Sequence, residues 1–208
     1  SEELGGDLWG LLYLDHGRLR LYSADFAGHG VVSAFNTFRL HSYLHSGVLD
    51  DLKPAAWLSE VNRFLEQVLP VGQFATMFCA EIDLPAERLI CASAAAPPVL
   101  VSNGGDYVML DMAGLPLGIV EDAAWDEVER PFPAGSTLFV YSDALIETPS
   151  PDAPVIAADE VADLLNRIGH VPVAHLITAL RQRLETAIGK GLTDDLTLVA
   201  FRHEERSA

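Results

Sequence analysis

Between Ala75 and Ser142 the chain offers six apolar, strand-like runs with little room between them. They are Ala75–Asp83, Arg88–Ala94, Val99–Ser102, Tyr107–Asp111, Trp125–Pro131 and Ser136–Ser142, and turn-like "LPAE", "NGGD" and "PAGS" separate several of them. Parallel neighbours need a crossover of about a dozen residues or more, so spacings this short predict antiparallel pairing. Upstream, "LWGLLYL" and "RLRLYSAD" flank "DHGR" and read as a hairpin with a glycine in its turn.

Helices come in pairs. The pattern from Val31 to His45 predicts one, with Val31, Phe35 and Phe38 on one side. Pro54 to Leu69 predicts a second, striped by Trp57, Val61, Phe64, Leu65 and Val68. Late in the chain, Val161, Leu164, Leu165 and Ile168 mark a third stripe, and Ile177, Leu180, Leu184 and Ile188 a fourth. A last strand, Leu196–Arg202, follows. Clustered strands and paired helices argue for α+β rather than alternating α/β. The economical packing is an α-β-β-α sandwich, two antiparallel sheets flanked by helix pairs, with sites on the loops at its ends. No repeat or linker interrupts residues 1–208, which read as one domain. The abrupt opening "SEELGGD" suggests a domain excised from a longer multidomain protein.

Charge narrows the function. Thirteen Lys and Arg stand against 30 Asp and Glu, a formal net charge of −17. Such a surface repels nucleic acid and anionic lipid, because phosphate binding needs cations to displace counterions. No apolar run reaches membrane-spanning length. The two cysteines, Cys79 and Cys91, lie in neighbouring apolar runs and read as buried free thiols of a reducing, cytoplasmic compartment.

Aspartates recur at the ends of the expected strands. Asp7 opens the first, Asp25 ends the second, Asp143 follows "STLFVY", and Asp194 and Asp195 open the last. Aspartate is common in turns, where it bonds local amides. Its repetition at strand ends points elsewhere. Carboxylates within about 4 Å repel by roughly 4 kcal/mol per pair at an effective dielectric near 20, and a dication removes that cost. All-oxygen ligation suits Mg²⁺ or Mn²⁺ rather than zinc. Divalent ions also make hydroxide available near neutral pH.

The segments "GGDLWG", "DFAGHG", "ATMFCAEID", "PLG", "GSTLFVYSDALIE" and "DDLTLVAF" occur in the order found in metal-dependent PPM-type protein phosphatases (protein phosphatase 2C-like). The chain resembles their SpoIIE/RsbU branch in particular, over nearly its whole length. The resemblance implies the α-β-β-α sandwich and two Mn²⁺ or Mg²⁺ ions at one end of it. It implies that Asp25 bridges both ions, that the Phe26 carbonyl completes one, and that Asp143 and Asp194 are carboxylate ligands. Asp7 matches an acid that acts through metal-bound water, with Asp195 and His29 in supporting positions. Sharp turning after Phe26 would require Gly28 and Gly30, which carry no Cβ.

By the same resemblance the substrate is a phosphoserine or phosphothreonine on a small regulatory protein of the STAS, anti-sigma factor antagonist type. A sensor or receiver domain would precede the phosphatase. Three positions depart from the family pattern. Gly10 stands where "GGDFYD" has a second acid, Ala96 where "AGHPP" has histidine, and Ala144 where glycine follows the aspartate. Ala144 would strain its loop if a positive φ were needed there. The Ala96 and Ala144 departures keep open an alternative, a catalytically weak or inactive phosphatase-like adaptor. A dinucleotide site on "GHGVVS" is the lesser rival, because a helix rather than a parallel strand follows the helix it opens.

Overall fold

The computed structural model describes residues 5–28, 30–47, 49, 51–147, 156–169, 171–188 and 196–204. The chain divides into two compact units. The first comprises Ser1–Ala96 and Met112–Pro131, and the second Pro97–Asp111 and Phe132–Ala208.

The first unit is built on a five-stranded sheet in the order β1-β2-β3-β4-β7. Its strands are β1 (Leu8–Tyr13), β2 (Arg18–Phe26), β3 (Ala75–Asp83), β4 (Arg88–Ala94) and β7 (Val128–Pro131), all paired antiparallel. The β1–β2 turn is the glycine turn expected of "DHGR". His16 and Gly17 take φ of 53° and 79°, and the Arg18 amide donates to the Asp15 carbonyl at 3.0 Å. Two left-handed central residues match the twist of the strands they join. The run expected to begin at Trp125 becomes strand only from Val128. Trp125 is buried off the sheet instead, its indole N–H donating to the Leu115 carbonyl at 2.9 Å.

Helices α1 (Val31–Leu44) and α2 (Pro54–Val68) belong to this unit. In α2 the expected stripe faces the core. Trp57, Val61 and Leu65 are fully buried, and Phe64 and Val68 pack partly buried against them. Pro54 starts the helix after an extended Lys53, and the Glu127 carboxylate accepts the Ala55 amide at 3.0 Å, where the helix dipole favours an anion.

Helix α1 is the reverse of what its pattern suggests. Val31, Phe35 and Phe38 are exposed, and Ser33, Asn36, Leu40 and Leu44 are buried. The physical reason lies in what it covers. Its first turns rest on glycine loops whose main-chain carbonyls need donors, so hydroxyls face inward.

Beneath the helix layer a charged pair is buried across two strands. Arg20 on β2 stands opposite Glu81 on β3, with Nη2 to Oε2 at 3.2 Å. The same guanidinium donates to the carbonyls of Leu49 (3.0 Å) and Leu52 in the α1–α2 connection and lies 5.6 Å from the Trp57 ring. Buried charge is tolerated when hydrogen bonds satisfy it, and these bonds tie the connection down to the sheet. The register also separates the cysteines. Cys79 opposes Ala92 and Cys91 opposes Ala80, so the two thiols leave opposite faces of the sheet and stay free.

The second unit carries a four-stranded antiparallel sheet in the order β6-β5-β8-β9. Its strands are β5 (Val99–Ser102), β6 (Val108–Leu110), β8 (Thr137–Tyr141) and β9 (Leu198–Arg202). Helices α3 (Ala144–Glu147), α4 (Ala158–Ile168) and α5 (Val173–Ile188) accompany it. Val161 and Leu165 of α4 and Leu176 and Leu180 of α5 bury against Phe139 and Tyr141. The expected stripe positions Leu184 and Ile188 lie where side chains are not described. Two antiparallel sheets with paired helices bear out the α+β expectation.

Two substitutions test this packing. A Cβ on Gly10 would come within 2.3 Å of the buried Tyr22 hydroxyl, so Gly10→Ala is expected to cost about 1–3 kcal/mol in urea unfolding. Ala95 holds φ of 57°, a conformation disfavoured for residues with a Cβ. Ala95→Gly should therefore raise stability by about 0.5–1 kcal/mol in the same measurement, despite the extra freedom glycine gives the unfolded chain.

Candidate functional site

The β1–β2 ladder brings the first two acids together. The ladder ends at Leu8 opposite Ala24, and extending its register by one and two steps sets Asp7 against Asp25 and Gly6 against Phe26. Directly opposed residues of an antiparallel pair share a face, with Cβ atoms about 4.5–5.5 Å apart. Both aspartates are partly buried. Asp25 and Phe26 are paired on the other edge with Thr76 and Ala75 of β3, which holds the end of β2 to the sheet.

Gly6 makes the arrangement tight. It is buried, and a Cβ built on it would stand 2.9 Å from the Phe26 carbonyl oxygen and 3.0 Å from Asp25 Oδ1. A side chain here would push into the oxygen atoms expected to be ligands. Past Phe26 the chain turns as anticipated. The Ala27 amide donates to the Phe74 carbonyl at 3.0 Å, and Gly28 and Gly30 adopt φ of 95° and 85°. His29 lies outside the described residues.

Two side chains of α1 close over these loops. Ser33 Oγ donates to the Gly28 carbonyl at 2.9 Å, and Thr37 Oγ1 approaches the Gly6 carbonyl at 3.1 Å. The sequence reading missed both. Their signal was a pair of hydroxyl residues four apart on a helix that starts directly after a glycine loop. It also missed Asn62, fully buried on α2. Asn62 donates to the carbonyls of Val120 (2.9 Å) and Glu121 (3.2 Å) and accepts the Gly118 amide at 2.7 Å. These bonds secure "PLG", whose Leu117 exchanges two main-chain bonds with Ala75 at the start of β3.

In the second unit Asp143 follows β8. Ser142 donates its amide to the Thr197 carbonyl and accepts the Thr197 amide on Oγ, both at 3.0 Å. Asp143 then leaves the ladder in the turn into α3, its carbonyl accepting the Ile146 amide at 2.8 Å. Asp194 and Asp195 lie outside the described residues. Among the described residues no group of three or more His, Cys, Asp or Glu side chains converges to hold a metal. The structure thus sets Asp7 and Asp25 at the same end of the β1–β2 ladder in one unit and leaves Asp143 at a strand end of the other.

The departures from the family pattern acquire physical content. Gly10 opposes Tyr22, whose ring and hydroxyl fill the space a side chain at position 10 would need. Ala144 opens α3 and is not among the residues with positive φ, so no strain attaches to it. Ala95, by contrast, holds a left-handed conformation at the position matching the glycine of "AGHPP".

The donor set at the end of β2 fits a hard divalent ion. It offers carboxylates and a main-chain carbonyl, beside a glycine that leaves them room. Burial meanwhile pushes the Cys79 thiol up to about 12 and raises Cys91 as well. A thiol held protonated at neutral pH is no nucleophile.

The family model for stage II sporulation protein E (SpoIIE) matches residues 15–204. The phosphoserine phosphatase RsbP of Bacillus subtilis (strain 168) is 27% identical over 191 residues, covering 84% of this chain and 47% of RsbP. The phosphoserine phosphatase RsbU of the same organism is 24% identical over 149 residues, covering 71% of this chain and 44% of RsbU. The chain therefore spans about half the length of the curated relatives it matches. Among solved structures, the RsbU and RsbW domains of Rv1364c from Mycobacterium tuberculosis align with a TM-score of 0.84 at 27% identity, covering 98% of this chain and 58% of that one. The PP2C domain of SpoIIE from Bacillus subtilis shares the fold, with a TM-score of 0.81 at 17% identity over 98% of this chain and 60% of that one. The chain belongs to the SpoIIE family, within the SpoIIE/RsbU branch of the PPM-type phosphatases.

Proposed function

We propose that this chain is a metal-dependent protein serine/threonine phosphatase acting on phosphoserine or phosphothreonine of a regulatory protein, of the STAS, anti-sigma factor antagonist type. The observation that carries the reading is the end of the β1–β2 ladder at Leu8 opposite Ala24, which puts Asp7 and Asp25 next in register, beside a Gly6 whose missing Cβ leaves room at the Phe26 carbonyl and Asp25 Oδ1. Family membership supports it, as do RsbP and RsbU, relatives named as phosphoserine phosphatases.

In this reading Asp25, Asp143 and Asp194, with the Phe26 carbonyl, hold two Mn²⁺ or Mg²⁺ ions, and these aspartates are the catalytic residues. When bound, the ions supply an activated water and neutralise charge on the phosphoryl oxygens. The chain's own residues do the positioning. The ladder aligns Asp7 and Asp25, and Gly28 and Gly30 turn the main chain so that the Phe26 carbonyl can face the acids. Asp7, Asp195 and His29 support the ligands. The expected setting is cytoplasmic, behind a sensor or receiver domain in the full-length protein. Among the described residues no helix is long and apolar enough to cross a membrane.

One observation favours a second reading, an adaptor that binds without turnover. Tyr22 occupies the place beside Gly10 where the family pattern has an acid. The two readings separate in one assay, Mn²⁺-dependent hydrolysis of p-nitrophenyl phosphate and of a phosphoserine peptide. The phosphatase is expected to turn over with Mn²⁺ and to stop with EDTA. Asp25→Ala should lose about a hundredfold or more, and Asp7→Asn about tenfold. Cys79→Ala should stay within about twofold, since its thiol is protonated and buried. An unsubstituted protein inert with Mn²⁺ on both substrates would decide for the adaptor.

A further inference from the structure

We infer that Thr37, seconded by Ser33, is a positioning residue that sets the geometry of the Asp7–Asp25 pair; its bearing on metal affinity rests on the reading proposed above. Ser33 and Thr37 lie four residues apart and so occupy one face of α1. Thr37 Oγ1 is 3.1 Å from the Gly6 carbonyl and 3.0 Å from the Ser33 carbonyl, so its single hydrogen is shared between them. Ser33 Oγ reaches the Gly28 carbonyl at 2.9 Å. One helix turn therefore holds both glycine loops, the one leading into Asp7 and the one leaving Asp25.

The Gly6 carbonyl belongs to the same planar peptide unit as the Asp7 amide, so holding that oxygen orients the main chain entering Asp7. On its other side the Gly6 α-carbon faces the Phe26 carbonyl and Asp25 Oδ1, close enough that a Cβ would stand about 3 Å from both. A small displacement of Gly6 is therefore felt by both acids and by the proposed carbonyl ligand. The helix carries Ser33 on its buried face and leaves Val31, Phe35 and Phe38 exposed. A helix placed only to fill a core shows the opposite pattern.

The test uses the metal-free protein and then adds Mn²⁺. In Thr37→Val, which keeps the shape and removes the hydroxyl, amide exchange at Asp7 and Leu8 is expected to rise about tenfold, the loss of one hydrogen bond. Exchange in β3 and β4 should stay within about twofold, and Thr37→Ser should restore the protection. In calorimetry with Mn²⁺ alone, Thr37→Val should bind about tenfold more weakly and Thr37→Ser near normally. Unchanged exchange at Asp7 and Leu8, a uniform rise through β3 and β4, or no rescue by serine overturns the inference. Should Thr37→Val fail to fold, Ser33→Ala carries the test, with faster exchange expected at Ala27 and Gly28 and unchanged exchange there counting against it. An unsubstituted protein that binds no Mn²⁺ while Thr37→Val loosens its loop overturns the metal reading and leaves the clamp standing. Mn²⁺ binding by the unsubstituted protein, with Thr37→Val exchanging like it, does the reverse.

Discussion

The register of β2 against its two neighbours is the constraint on which the first unit depends. β2 pairs along its whole length with β3, from Arg18 opposite Asp83 to Phe26 opposite Ala75, while β1 pairs on the other edge. A slip of one residue would turn every side chain to the wrong face. It would turn Tyr22, Ala24 and Phe26 away from the core they share with α1 and α2, break the buried Arg20–Glu81 pair and move Asp25 away from Asp7. Core packing and the disposition of the acids are therefore decided by the same ladder. Nothing separate has to fold for the acid pair to form.

The helix layer above that ladder does two kinds of work. Helix α2 buries an apolar stripe and contributes stability in the ordinary way, with fully buried aliphatic and aromatic side chains each giving about 1.5–3 kcal/mol. Helix α1 directs polar groups at main-chain carbonyls over its first turns and only later, at Leu40 and Leu44, enters the core. The connection between the two helices is held by Arg20, whose guanidinium bonds the Leu49 and Leu52 carbonyls from inside the sheet. One buried cation thus links strand pairing to the placement of both helices.

The departures from the family pattern differ in kind. At Gly10 the space is taken by Tyr22, a ring with a fully buried body, and burial pushes its hydroxyl up to about 12. At Ala144 the conformation suits any residue, because α3 begins there. Ala96 gives its amide to Ser93 Oγ at 3.2 Å, and the strain in this segment falls on its neighbour Ala95. A pattern compared letter by letter treats these alike; the backbone tells them apart.

Much of the fold was readable in the chain itself. β3, β4 and β5 have the bounds their apolar runs predicted, because strands this short between turn residues have few alternatives. The glycines after Asp25 announced a sharp bend, since only residues without a Cβ adopt such angles freely. The direction of α1 was not readable. Its apolar residues recur at helical spacing, and periodicity records that a face exists without recording what lies against it. Nor could separation along the chain show Asp7 opposite Asp25, or Thr37 above Gly6, contacts that arise only when distant strands and a helix are laid together. Local chemistry determined the elements, their turns and the residue types fit for a metal. Tertiary structure alone decided which side each element presents, because burial is a property of neighbours that the linear order does not contain.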